Sequence, residues 1–271
     1  MCNRIAGMAL FSIVAAGLSS VFTTVTAQQP TGAAIPRTAD GKPNLTGLWQ
    51  AMNTANWDLQ THEARMTAVV SLGAAFSVPG GVGVVEGEEI PYKPEMVAKK
   101  KENQDNYLTR DPEIKCYMPG VPRAMYQPHP FQIVQSTNTI IMAFEFANSS
   151  RNIRVGHKER SPAPTWMGWS VARWEGDTLV VDVTDQVGDT WFDRAGNFHS
   201  DEMKVTERIT MIDANTLNYR ATIDDPKTFT KPWTVEMPLY RRRDKGAQLV
   251  EFRCVPFVEE LMWGHLRKKT N

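Results

Sequence analysis

General acid–base chemistry needs a group that titrates near neutral pH and a neighbour that holds it in position. Residues 185–202 offer such a set: His199, with Asp193 and Asp201 close to it in sequence and Glu207 a few residues on. In that arrangement His199 acts as general acid or base, Asp193 or Asp201 orients it, and Glu207 or an arginine stabilises developing charge. The plainer reading of the same residues is that His199 only hydrogen-bonds within its loop. Loops of more than about 12 residues inside a compact domain are usually functional or disordered. Trp191 argues against disorder here, so residues 185–202 are the first candidate for a site.

Other residues suit binding rather than turnover. Arg151 and Arg154, read as sharing one face of a strand with Ile153 on the other, could clamp a carboxylate bidentately. Paired with Glu145 or Glu207 they would be structural instead. The chain holds eight tryptophans, and Trp166, Trp169, Trp191 and Trp233 could line a cavity for an apolar or sugar-like ligand, or simply pack a core. Arg123, Tyr126 and His129 could border an opening, and His157 lies in a polar connection. If His129, His157 and His199 converged with Asp193 or Glu207 they would suit zinc, but their spacing does not require it and scattered histidines are the simpler account. No metal or cofactor is therefore expected. A Walker loop, a G-x-S-x-G elbow, an H-E-x-x-H pair and cysteines at zinc spacing are all missing from the sequence.

The elements that must position these residues read as strands. Across residues 166–223, Trp174-Glu175-Gly176-Asp177 makes a hairpin turn between two alternating runs. Leu179, Val181 and Val183 fall on one face of the second run. Met203, Val205, Glu207, Ile209 and Met211 share the next strand's apolar face, so the Glu207 carboxylate needs a cation, a donor or water there. Leu217, Tyr219, Ala221 and Ile223 continue the meander, and Trp233, Val235, Met237 and Leu239 alternate later. Residues 131–135 and 139–147 form a hairpin about Ser136-Thr137-Asn138, and residues 248–255 read as the closing strand. Short helices are expected over 57–70 and 94–106, the latter opening on Pro94 with Lys99-Lys100-Lys101 as a solvated face. An amphipathic helix over 257–269 turns Phe257, Leu261 and Leu266 inward. The proline-rich stretch 111–130 cannot be regular and should wrap over the strands. Roughly nine or ten strands without βαβ alternation favour an antiparallel barrel or sandwich.

Composition narrows the classes further. A formal net charge of zero over 271 residues, 22% of them charged, carries no nucleic-acid footprint. Residues 1–27 read as a cleaved signal peptide, with Arg4 ahead of an apolar run and Val25-Thr26-Ala27 before the cut, which implies a periplasmic or secreted protein without a stable membrane anchor. Removing Cys2 leaves Cys116 and Cys254, which in an oxidising compartment commonly pair; so long a loop would contribute about 4 kcal/mol by loop-closure entropy. The predicted organisation is signal peptide 1–27; a leader, first strand and wrapping segment 28–130; a barrel meander 131–256; and a terminal helix 257–271. Oligomeric state is open.

Gly47 and Trp49 stand in a G-x-W arrangement that resembles the opening strand of lipocalin-like and calycin-like barrels, where the tryptophan plugs the closed end. Longer blocks, including residues 35–45, Cys116 through Arg123, residues 174–182, and Asp224-Asp225-Pro226 with Pro232-Trp233-Thr234, resemble a widespread family of uncharacterised exported β-rich proteins of soil bacteria. The resemblance implies export and a shared β domain, and it transfers no catalytic residue. Many members continue the last cysteine with His-Glu, whereas Val255-Pro256 follows Cys254 here. The reading is an exported lipocalin-like barrel that binds a small molecule in an aromatic cavity, with Glu207 and a loop histidine as polar contacts. Its alternatives are a cofactor-free hydrolase, isomerase or lyase, or a structural envelope protein.

Overall fold

Alternation of apolar and polar side chains becomes strands almost wherever the sequence predicts them. In the computed structural model, which describes residues 34–267, β1 (Gly47–Ala51), β4 (Phe131–Gln135), β5 (Thr139–Phe144), β6 (Ser150–Val155), β7 (Trp169–Glu175), β8 (Thr178–Thr184), β9 (Lys204–Asp213), β10 (Thr216–Asp224) and β11 (Trp233–Arg241) form one closed barrel. Arg65–Met66 (β2) and Ser77–Val78 (β3) make a separate two-stranded ribbon. The protein is thus mainly β, a lipocalin-like barrel with a few short helices. Neighbouring strands are antiparallel except β6 and β7, which pair in parallel over Ile153–Val155 and Ser170–Ala172. That parallel step needs a crossover, and residues 156–168 supply it.

The barrel closes differently from the expectation. Residues 248–255 are not a strand, because β1 already pairs with both β11 and β4 and a closed barrel leaves no edge to extend. Instead this stretch runs along the outside, its Phe252 against His129 and Phe146 and its Cys254 bonded to Cys116 with a Cα separation of 5.8 Å. The G-x-W strand behaves as a unit. Trp49 is fully buried and donates its indole N–H to the Leu45 carbonyl at 2.9 Å, while the Arg241 guanidinium lies 4.2 Å from its ring centre. Gly47 makes room for that arginine: a Cβ there would stand 1.9 Å from Arg241 Nη1.

Helices depart from the sequence pattern where tertiary partners capture the backbone. Residues 57–69 do not form the helix predicted over 57–70; they run as an irregular stretch that includes β2, and a 3-10 helix begins only at Val70. Leu59 N–H goes to Asp193 at 2.9 Å, and His62 pairs with Gly81 in both directions at 3.0 and 2.9 Å. The expected helix after Pro94 is present as α1 (Pro94–Asp105), followed by the short α2 (Tyr107–Arg110). The terminal helix α3 (Val258–Trp263) is shorter than predicted and faces the other way, with Leu261 71% exposed and Phe257 and Leu266 also exposed. What docks it is an ion pair, Glu259 to Arg194 at 3.0 Å, and Trp263 packing on Phe76. The predicted signal peptide lies outside the described residues, and among those described no helix is long and apolar enough to cross a membrane.

Candidate functional site

The barrel's inward positions are filled by side chains. Ile133, Ile140, Met142, Ile153, Leu179, Val181, Ile209, Leu217, Ala221, Val235 and Leu239 are fully buried together. Glu207 lies among them with no exposure, on the face the alternation predicted. Arg151 binds it through both guanidinium nitrogens, Nη1 at 3.0 Å, and also donates through Nε to Ser170 Oγ at 2.8 Å. The Tyr219 hydroxyl donates to the same carboxylate at 2.8 Å. Both Glu207 oxygens are therefore occupied, and burial, then the Glu207 charge, raise the Tyr219 phenol well above its ordinary value. Arg151 does not share a face with Arg154. Three residues is an odd step on a strand, so Arg151 points inward beside Ile153, and Arg154 points outward with its guanidinium 3.5 Å from the Trp169 ring centre.

Residues 185–202 are ordered by buried contacts, and His199 is one of them. Its Nδ1 lies 2.7 Å from the Ser200 carbonyl, which can only accept, so Nδ1 carries the proton. Nε2 then accepts from the Thr190 hydroxyl at 2.6 Å. Burial lowers the imidazole pKa and keeps the ring neutral. Gln186 donates to Thr190 at 2.8 Å and accepts from Val121 N–H at 2.9 Å, which ties the loop to the wrapping segment. Gly120 permits this approach, since a Cβ at its φ of +73° would sit 2.5 Å from Gln186 Nε2. Asp193 is equally enclosed and accepts from Leu59 N–H, Asn197 N–H and Asn197 Nδ2. Burial, and then the nearby Asp58 carboxylate, push its pKa up to about 7 against those three donors.

The three residues proposed for catalysis are thus separate, closed hydrogen-bonding centres with no bond joining them. We expect His199→Ala to lower stability by about 1–3 kcal/mol, because it strips a buried hydroxyl of its acceptor and opens a void. Chemical denaturation of the two proteins measures this. An unchanged midpoint would show that the imidazole is not the pin described.

The same anchoring turns other residues outward. Thr190 is held from below, so the exposed Gly188 and Asp189, together with the nearly buried Trp191, border a surface cleft of about 550 Å³. Its remaining walls are Lys99 of α1, Arg110 of α2, Pro112, Lys115 and Tyr117 of the wrapping segment, and Trp166 of the β6–β7 crossover. Tyr117 and Trp166 pack with ring centres 4.9 Å apart, next to the disulfide at Cys116. Arg110 is paired with Glu102 at 2.7 Å. Lys99 lies 4.3 Å from the Phe198 ring centre, and among the described residues neither it nor Lys115 pairs with a carboxylate. Lys99 therefore belongs to this wall as well as to the solvated lysine run.

The other predicted binding residues scatter. Arg151, Arg154 and Trp166 border an adjoining cleft of about 510 Å³, although the Arg151 head is turned into the barrel. His157 lines a shallow surface hollow with Lys158 and Arg173. His129 meets Glu145 at 3.3 Å and packs edge-on against Phe252 and at a tilt against Phe146. Trp233 packs in the core against Phe192 and Phe229. Among the described residues no group of three His, Cys, Asp or Glu side chains comes together as a metal site. A further cleft of about 430 Å³ near Trp57 and Tyr107 has its arginines already engaged, Arg65 by Asp58 and Arg194 by Glu113 and Glu259. The sequence reads Lys99 as part of a solvated lysine face rather than a binding patch, and nothing in it marks Lys115 or Tyr117 as site residues. Their nearness to Cys116 and to the 185–202 loop appears only once the chain is folded.

Compared with known proteins, the chain matches no family model and no curated sequence.

Proposed function

We propose that this is an exported small-molecule-binding barrel protein, a member of the exported family its sequence resembles, whose ligand occupies the external cleft rather than the barrel. The carrying observation is that Tyr117, Trp166 and Trp191, from three segments far apart in sequence, converge on one opening of about 550 Å³. Binding sites for small molecules commonly span about 300–1,000 Å³ and are lined by aromatics with a few polar groups. The filled barrel interior and the fully occupied Glu207 argue against an internal ligand. The disulfide supports an oxidising compartment. The enzyme alternative is weaker, because a general acid or base must reach substrate and both His199 and Asp193 are enclosed. The structural envelope alternative draws on the paired, sealed Glu207 and keeps that observation in its favour.

A thermal-shift screen of the mature protein against small metabolites tests the reading, repeated with Trp166→Ala and Tyr117→Ala. Compounds that raise the melting temperature of the wild type should lose that effect in both variants. If no compound stabilises the wild type, or if both variants respond as it does, the cleft is not the site and the structural role takes its place.

A further inference from the structure

Resting on the cleft reading, we infer that its ligand is a monoanion carried on a flat ring system, an aromatic carboxylate in the simplest case. The chain as a whole has no net charge, yet this wall carries Lys99, Arg110 and Lys115 against one carboxylate, Asp189. Arg110 is neutralised by Glu102, which leaves two lysines facing one aspartate and an excess of one positive charge. Lys115 is half-buried at this wall and, among the described residues, pairs with no carboxylate, so a bound anion would meet a cation not already neutralised. An excess of one charge suits a monoanion better than a phosphate dianion. Lysines act as point charges, without the planar fork by which arginine selects a group by shape. The charged end is therefore chosen by sign, and selectivity lies with the body of the ligand.

That body meets the rings. Tyr117 and Trp166 pack on each other as one apolar platform, and Trp191 belongs to a second small core with Tyr107, Leu108 and Phe198. A ring laid against this platform exchanges water for flat aromatic contact, which is favourable for any π-face. The cleft's volume accommodates one or two fused rings. The adjoining cleft shares Trp166 as its border, so a larger ring system can extend beneath Trp169 and Arg154.

The test uses 1-naphthoate, its neutral counterpart 1-naphthalenemethanol, and inorganic phosphate, titrated into the mature protein and followed by calorimetry and tryptophan fluorescence. The expected result is that naphthoate binds about tenfold more tightly than the alcohol or phosphate. That margin should shrink at about half-molar salt, where exposed charges are screened within a few ångströms. It should also vanish in the Lys99→Gln/Lys115→Gln double variant, whose melting temperature serves as the folding control. If the alcohol binds as tightly as naphthoate, with Trp166→Ala weakening both, the anion inference fails and the cleft reading stands. If phosphate binds as tightly as naphthoate, the ring contribution is refuted. If neither ring compound binds, the inference falls together with the cleft reading.

Discussion

Replacing Arg123 by methionine should destabilise the protein by about 3–5 kcal/mol, the cost of removing one partner from a buried ion cluster. Arg123 is 1% exposed and occupies the wrapping segment where it crosses the barrel end. It donates to both Asp111 oxygens, at 2.7 and 2.9 Å, to Glu113, and to Asn56 Oδ1 at 2.9 Å. Without it Asp111 keeps no counter-ion, while Glu113 retains Arg194 at 2.8 Å. Burial opposes the Glu113 charge, but Arg194 and Arg123 outweigh it and hold the pKa down at about 2. A depressed carboxylate contributes stability that is present above its unfolded value and is lost as pH falls through the folded one. The wild type should therefore lose this contribution between about pH 4.5 and pH 2. In the variant the Glu113 pKa rises and the acid transition moves to higher pH. Thermal melts at neutral pH should show a fall of about 10 °C. Adding Asp111→Asn should recover part of it, since the orphaned charge is then removed. A variant that melts within a few degrees of the wild type and keeps its acid transition would contradict this cluster.

The second large effect lies at the barrel centre. Arg151→Met and Glu207→Leu each leave a charged partner, fully desolvated, with fewer neutralising groups. Each should cost about 3–5 kcal/mol. Changing both partners to apolar residues should cost much less than the sum of the single changes, because no charge then remains in a core of Ile, Val and Leu. Tyr219 would still lack an acceptor for its hydroxyl, so some penalty persists. Denaturant midpoints of the four proteins give the coupling energy directly. Additive single effects would mean that the carboxylate and guanidinium do not act as one unit. This cycle also bears on function: a barrel centre that tolerates neither charge alone is a sealed core and not a vacant ligand chamber.

Much of this architecture is visible in one dimension because its cause is local. Successive strand residues point to opposite faces, so period-2 alternation at Leu179, Val181 and Val183, and from Val205 to Met211, suffices to locate β8 and β9 and to place Glu207 inward. The Glu175-Gly176-Asp177 turn, the Ser136–Asn138 turn and the Pro94 helix start are equally local. The prominence of residues 185–202 follows from loop length, and they do form one wall of the cleft.

Tertiary structure decided what local rules leave free. Along an irregular loop no period tells which side chain faces in, so His199 and Asp193, the residues with suggestive chemistry, became enclosed anchors while Asp189 turned to solvent and Trp191 packed into a second small core at the cleft's edge. A strand at the chain's end could not join a barrel whose edges β1 had already paired. The terminal helix turns Glu259 toward Arg194, with which it pairs at 3.0 Å, and leaves Leu261 exposed. The alternation of the sequence by itself determined a β-barrel with an inward Glu207. The cleft exists only because the disulfide, the Gly120 approach and the parallel β6–β7 crossover bring four distant segments together, and such long-range adjacency leaves no periodic trace in the chain.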